Sequence, residues 1–123
     1  MYIISAQRYF EAAHALRGYQ GKCERIHGHR FKVVAKLRGE TLNDVGLAYD
    51  FTNLKKNLDQ ILARYDHTSL NEVPPFDKIN PSSENIARTI YEKLAGMLSE
   101  NDVELTEVDV WESPDQWVTY IPD

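Results

Sequence analysis

The chain has 123 residues, a formal net charge of −5 and one cysteine. This length predicts a single domain spanning residues 1–123. The acidic balance argues against nonspecific nucleic-acid binding, and a lone cysteine excludes an intrachain disulfide framework. No apolar run approaches the roughly 20 residues that a membrane helix needs. Because residues 1–8 also lack a signal-peptide pattern, we expect a cytoplasmic protein with neither a membrane nor a nucleic-acid partner.

Two strands are predicted at the start of the chain. Residues 2–14 form the first, and residues 27–38 alternate between apolar and polar side chains as the second, which closes at Gly39. Residues 15–26 make a wide connection between them. This pattern predicts a long antiparallel hairpin.

Two amphipathic helices follow the turn at residues 43–46. The first takes Asp50 or Thr52 as its N-cap, and its apolar stripe consists of Leu54, Leu58, Ile61, Leu62 and Tyr65. The second begins at Pro81-Ser82-Ser83-Glu84 with a serine N-cap, and its stripe consists of Ile86, Ile90, Leu94, Met97 and Leu98.

Two more strands complete the chain, from Val103 to Glu112 and from Gln116 to Ile121. The order ββααββ predicts an α+β fold with an antiparallel four-stranded sheet and two helices on one face. Side-chain parity places Asp109 on the exposed face of the third strand. Since such a sheet has unpaired edges, and pairing between subunits would protect them, we expect a homo-oligomer.

Three of the four histidines have the spacing of metal ligands. His27 and His29 flank one glycine, so both point to the same face of an extended strand. His14 ends the preceding strand, and the hairpin could therefore aim three imidazoles at one point. Three protein ligands with an open position describe a catalytic zinc site, although iron or nickel could occupy the same imidazoles.

The only cysteine, Cys23, lies four residues before His27. A nearby positive charge favours the thiolate, which makes Cys23 a candidate nucleophile or base. As a fourth ligand it would instead close a structural site of one thiolate and three imidazoles. The spacing leaves both interpretations open.

The Asp66-His67 pair follows the first helix. Histidine is the usual proton shuttle near neutral pH, and a carboxylate can orient or charge it. Adjacent residues rarely meet in a regular element, so a relay requires a bend at this point. The alternative is a helix-end histidine that interacts only with the helix dipole.

Glu112 shares the parity of the apolar residues Val108 and Val110. A carboxylate on that face is costly unless it has a partner. A ligand with two parallel N–H donors would satisfy it bidentately, and the 2-amino-pyrimidinone edge of a pterin or guanine has that pattern. The alternative is a solvated carboxylate at the strand end.

Basic residues concentrate between residues 17 and 38. Parity puts several of them on the solvent face of the second strand, namely Arg30, Lys32, Lys36 and Arg38. The loop residues Arg17, Lys22 and Arg25 remain as candidate contacts for a phosphate-bearing substrate.

Taken together, these residues resemble the 6-pyruvoyltetrahydropterin synthase family. The matching segments are, in order, Phe10-Glu11-Ala12-Ala13-His14, Cys23-x-x-x-His27-Gly28-His29, Asp50-Phe51, Asp66-His67, Pro81-Ser82-Ser83-Glu84 and Glu112. The short Cys-x-x-x-His-Gly-His spacing is most similar to the bacterial 6-carboxytetrahydropterin synthase branch of queuosine biosynthesis.

The resemblance implies a T-fold (tunnelling fold) subunit, a homohexamer built as a dimer of trimers, and active sites between subunits. It also implies roles for particular residues: a zinc ion on His14, His27 and His29, Cys23 as the catalytic thiol, His67 with Asp66 as the proton relay, and Glu112 as the pterin anchor with Ser82 and Ser83 beside it. The implied reaction converts 7,8-dihydroneopterin triphosphate to 6-carboxy-5,6,7,8-tetrahydropterin, with release of acetaldehyde and triphosphate.

Glu24 leaves the implied product open because it directly follows Cys23. In some relatives a glutamate here replaces the thiol, and those enzymes produce 6-hydroxymethyl-7,8-dihydropterin for folate synthesis. Glu24 is then a second acid/base; otherwise it is a solvated loop acid. A 6-pyruvoyltetrahydropterin synthase is a further alternative, disfavoured by the short spacing. A noncatalytic zinc scaffold would leave Asp66, His67 and Glu112 without roles.

Overall fold

One mixed, mostly antiparallel sheet organises the chain in a computed structural model that describes residues 1–21 and 25–123. Its strands are β1 (Tyr2–His14), β2 (His27–Gly39), β3 (Thr68–Ser69), β4 (Glu104–Ser113) and β5 (Gln116–Tyr120). Their spatial order is β3-β1-β2-β4-β5. β1 and β2 pair along their whole length, from Tyr2 opposite Gly39 to His14 opposite His27. The predicted hairpin is thus confirmed.

The α+β class is confirmed, but the expected strand count of four was one too low. β3 consists of two residues that pair parallel with Ala12 and Ala13 of β1. Directly before it, His67 has a positive φ of 59°, which turns the chain onto the edge of β1. Two residues are too few to produce a recognisable alternation, so the sequence pattern could not reveal this strand.

The two helices, α1 (Phe51–Leu62) and α2 (Ser83–Leu98), begin at side-chain caps. Asp50, rather than Thr52, caps α1: its Oδ1 accepts the Thr52 N–H at 2.8 Å. Ser82 caps α2 by accepting the Asn85 N–H at 3.1 Å. Each cap satisfies one of the backbone donors that a helix start leaves unpaired.

The core lies between these helices and one face of the sheet. Phe10 and Phe31 stack across β1 and β2 with ring centroids 4.8 Å apart. The predicted helix stripes are buried against them, except that Met97 is 36% exposed. Fully burying one such Leu or Ile side chain contributes about 1.5–3 kcal/mol. Among the described residues, no helix is long and apolar enough to cross a membrane.

Asp109 corrects the parity argument, because it is 6% exposed instead of solvated. Thr119 on β5 donates its hydroxyl to Asp109 Oδ1 at 2.7 Å, and Lys36 Nζ on β2 lies 3.5 Å from Oδ2. Parity assigns a residue to a face, but it does not show which neighbouring strands will cover it. Here β5 and β2 enclose the carboxylate and supply its partners.

Replacing Asp50 with alanine is expected to lower the free energy of unfolding by about 1 kcal/mol, because the Thr52 N–H loses its acceptor. Urea denaturation followed by circular dichroism measures the change. Asp44→Ala is the matched control, since Asp44 is an exposed acid in the preceding turn. Equal effects of the two substitutions would contradict the capping role.

Candidate metal centre and cleft

The open end of the β1–β2 hairpin brings three histidines together. The register places His14 opposite His27, and alternation along β2 points His29 to the same face as His27. Ring centroids are 4.6 Å apart for His14 and His27, 4.7 Å for His27 and His29, and 5.3 Å for His14 and His29. The convergence of imidazoles anticipated from spacing is therefore present in the fold.

Backbone carbonyls fix how two of these rings are protonated. His14 Nδ1 lies 2.7 Å from the Pro81 carbonyl oxygen, and His27 Nδ1 lies 2.7 Å from that of Arg25. Since a carbonyl can only accept, each Nδ1 carries the hydrogen and each Nε2 presents a lone pair. Burial lowers the pKa of His14 and of His29, which favours the neutral form that binds metals.

Glu112 joins this cluster. Its Oε1 lies 2.8 Å from His29 Nε2, 3.7 Å from His14 Nε2 and 3.8 Å from His27 Nε2. Its Oε2 accepts a hydrogen bond from Ser83 Oγ at 3.3 Å. The alternation of side chains predicted Glu112 on this face of the sheet, as the anchor of a ligand with two N–H donors. It did not indicate that Glu112 lies close to the histidines.

The arrangement of the four side chains fits a metal ion. Their ligand atoms all lie within 4.8 Å of one another. The Nε2 atoms of His14 and His29 are buried and make no hydrogen bond with any residue in the described ranges; the Glu112 oxygen approaches His29 outside hydrogen-bonding geometry. Unpartnered buried nitrogens are costly, and a divalent cation would satisfy them. Three imidazoles with a carboxylate form a donor set that zinc accepts.

A cleft of about 190 Å³ opens beside the cluster. Its lining residues are His14, Leu16, His27, Ser82, Ser83, Glu84, Glu112, Gln116, Trp117 and Val118. The cleft thus contains both serines that the sequence predicted as substrate contacts. Its volume lies below the roughly 300–1,000 Å³ typical of small-molecule pockets, so the chain by itself encloses only a small space at this position.

Asp66 and His67 lie at the bend after α1, and their side chains are in contact. His67 Nδ1 is 3.0 Å from Asp66 Oδ2, while Asp66 Oδ1 accepts the Glu11 N–H at 2.8 Å. That backbone hydrogen bond, followed by the contact with His67, lowers the pKa of Asp66. Glu11, which the sequence argument did not assign to the site, also places Oε2 3.6 Å from His67 Nε2.

The Asp66–His67 pair lies away from the Glu112 cleft. The His67 side chain is 75% exposed and borders a shallow depression shared with His29, Arg30 and Thr68. Among the described residues that line the Glu112 cleft, neither Asp66 nor His67 occurs. The fold thus presents two neighbouring groups, and His29 belongs both to the depression and to the candidate metal cluster.

Arg17, one of the candidate phosphate contacts, makes hydrogen bonds within the fold. Its guanidinium donates to the carbonyl oxygens of Phe76 at 2.6 Å and Ile79 at 2.8 Å. The backbone N–H of Arg17 donates to Asn80 Oδ1 at 2.9 Å. These bonds tie the β1–β2 loop to the segment before α2. Of the other loop candidates, Arg25 is exposed, while Lys22, Cys23 and Glu24 lie outside the described residues.

Arg17→Ala is expected to lower the free energy of unfolding by about 1–3 kcal/mol, since the half-buried bond to Phe76 and the exposed bond to Ile79 both lose their charged donor. Chemical denaturation measures this loss, and steady-state kinetics measures KM. Arg25→Ala is the matched control and should leave stability unchanged. A raised KM with unaltered stability in Arg17→Ala would return this residue to phosphate binding.

These observations define the class of protein: an α+β fold with a candidate metal centre beside a small cleft. A family model described as 6-pyruvoyl tetrahydropterin synthase matches residues 3–123. The chain therefore belongs to that family.

Individual relatives and a solved structure agree with this assignment. The chain is 40% identical to a 6-carboxy-5,6,7,8-tetrahydropterin synthase from Synechocystis, over 87% of each chain. It is 36% identical to a dihydroneopterin monophosphate aldolase from Pyrococcus furiosus, covering 84% of this chain and 82% of that one. The structure of Caenorhabditis elegans 6-pyruvoyl tetrahydropterin synthase superposes with a TM-score of 0.86 at 33% identity, over 100% and 98% of the two chains. The T-fold expectation is confirmed.

Proposed function

We propose that this chain is a zinc-dependent carbon–carbon lyase. It converts 7,8-dihydroneopterin triphosphate and one water molecule to 6-carboxy-5,6,7,8-tetrahydropterin, acetaldehyde and triphosphate, a step of queuosine biosynthesis. The observation that carries the proposal is the convergence of three Nε2 atoms and the Glu112 carboxylate at one cleft. The 6-carboxytetrahydropterin synthase among the relatives supports this choice of reaction.

Each site residue has a role in this proposal. His14, His27 and His29 hold zinc, which when bound supplies Lewis-acid polarisation of the substrate side-chain oxygens and acidifies the adjacent C–H. Cys23, as the thiolate, removes a proton from that carbon. Glu112 accepts the paired N–H donors of the pterin edge, and Ser82 and Ser83 add contacts at the start of α2.

His67 exchanges protons on the other side of the substrate, and Asp66 holds and charges its ring. The separation of this pair from the Glu112 cleft supports an active site assembled from more than one subunit. The partial cleft of about 190 Å³ supports the same arrangement. We therefore propose a homohexamer, a dimer of trimers, in which neighbouring chains complete each site.

A second candidate product is 6-hydroxymethyl-7,8-dihydropterin, which leads to folate. Glu24 beside Cys23 would act as a second acid/base in this case. The dihydroneopterin monophosphate aldolase among the relatives favours keeping this candidate. In the primary proposal, Glu24 is an incidental loop acid.

Product identification tests the two candidates directly. Zinc-loaded protein is incubated with 7,8-dihydroneopterin triphosphate, and the pterins are separated by mass spectrometry. Carboxytetrahydropterin with acetaldehyde is expected. Hydroxymethyldihydropterin would transfer the function to the second candidate. A product that retains all three side-chain carbons would identify a pyruvoyl synthase, and an unchanged substrate would contradict every catalytic version of the proposal.

A further inference from the structure

The two oxygens of the Glu112 carboxylate face different partners. Oε1 faces the histidine nitrogens, and Oε2 accepts the Ser83 hydroxyl. Ser83 is itself buried at 9% exposure, so this hydrogen bond holds the carboxylate in one orientation. Bidentate recognition of a pterin requires both oxygens to face the same ligand edge. The Glu112 side chain therefore needs one position for its contacts with the histidines and Ser83, and a different position to anchor a pterin.

The position of Oε1 is that of a fourth metal ligand. Ligand atoms at about 2.0–2.1 Å from a tetrahedral zinc lie about 3.3 Å from one another. The three distances from Oε1 to the histidine Nε2 atoms, 2.8, 3.7 and 3.8 Å, lie on both sides of that value. An oxygen at the metal position itself would lie near 2.0–2.1 Å from each nitrogen. Oε1 thus has the spacing of a neighbouring ligand rather than that of the ion.

We propose that Glu112 is an exchangeable fourth ligand, which holds the metal in the ligand-free enzyme and leaves it to bind the pterin edge. This inference rests on the proposed pterin recognition and extends it. When Glu112 turns toward the pterin, it opens a ligand position beside the substrate. Recognition of the pterin base and access to the metal are then coupled through one carboxylate, and Ser83 is the positioning residue that favours the closed arrangement.

Cobalt-substituted protein tests the exchange, because the visible spectrum of Co²⁺ reports its ligands and coordination number. The probe is unsubstituted pterin, which has no C6 side chain to contact the metal. Adding it to the wild-type Co²⁺ protein is expected to shift the visible bands toward those of ligand-free Glu112→Gln. Glu112→Gln should also weaken Co²⁺ binding by about 10-fold or more. Loss of a group that only hydrogen-bonds to a metal ligand already lowers metal affinity by about that factor.

Asp115→Asn is the matched control, since Asp115 is an exposed acid in the turn after Glu112; its spectrum and Co²⁺ affinity should equal those of the wild type. Identical spectra for Glu112→Gln and the wild type would overturn the ligand role. The pterin titration of the wild-type Co²⁺ protein needs no variant. It therefore still tests the exchange if Glu112→Gln fails to fold.

Pterin fluorescence, followed in the same titration, separates failure of the exchange from failure of the proposed function. Binding with an unchanged Co²⁺ spectrum would overturn the exchange alone. An absence of binding to the wild type would overturn both the pterin recognition and the exchange that rests on it. Binding that shifts the bands in the wild type but not in Glu112→Gln would support the proposal.

Discussion

Replacing His27 with alanine is expected to release the metal and abolish turnover. His27 is proposed to supply one of three imidazole ligands. Its removal should lower metal affinity by more than the roughly 10–100-fold effect of removing a group that only orients a ligand. The side chain is 28% exposed and lies at the first position of β2, so the core should be unaffected. Metal content after dialysis and chelator competition measure metal binding, steady-state kinetics measures turnover, and thermal melting measures the stability of the core.

Cys23→Ala is the informative comparison for His27→Ala. If Cys23 acts as a base, turnover should fall by about 10²–10⁴-fold, while zinc content stays at the wild-type level. Zinc loss in both variants would instead indicate a closed site in which the thiolate is a ligand. Retention of zinc by His27→Ala would contradict the ligand assignment itself, whatever the activity.

The hairpin and helices could be predicted because their signals are local. Alternation in β2 separates its buried and exposed faces, and the apolar stripe of α1 repeats at helical spacing. Asp50 precedes that stripe as an N-cap. His14 and His27 could be placed together because both lie at the ends of strands in one hairpin. In each case, the sequence pattern that predicts the feature lies within one strand, one helix or one hairpin.

The features that could not be predicted from the sequence depend on contacts between distant segments of the chain. Glu112 meets the histidines because β4 pairs with β2 in the register that opposes Val110 to Val33, and parity alone does not specify a register. Arg17 bonds to carbonyls some sixty residues away along the chain. His67 has a positive φ and donates its backbone N–H to the Glu11 carbonyl, a distant contact that no pattern near residue 67 reveals.

His67→Asn is expected to lower kcat by about 10²–10⁴-fold, the usual contribution of one acid/base group, and to leave the bound zinc in place. Asparagine is preferred over alanine because it tolerates the positive φ that this position requires. With the His67 side chain 75% exposed, the melting temperature should change little. Loss of zinc would place His67 among the ligands, and an unchanged kcat would remove it from the relay.

Mixing inactive variants then shows whether neighbouring chains share a site. On the proposed hexamer, His67→Asn and Cys23→Ala are expected to form mixed oligomers when they are unfolded together and refolded. If the relay of one chain serves the thiol of another, some sites in the mixture receive both intact groups and turnover reappears. If each chain uses its own pair, every site lacks one group and the mixture stays inactive. The separation of His67 from the Glu112 cleft within one chain favours recovery.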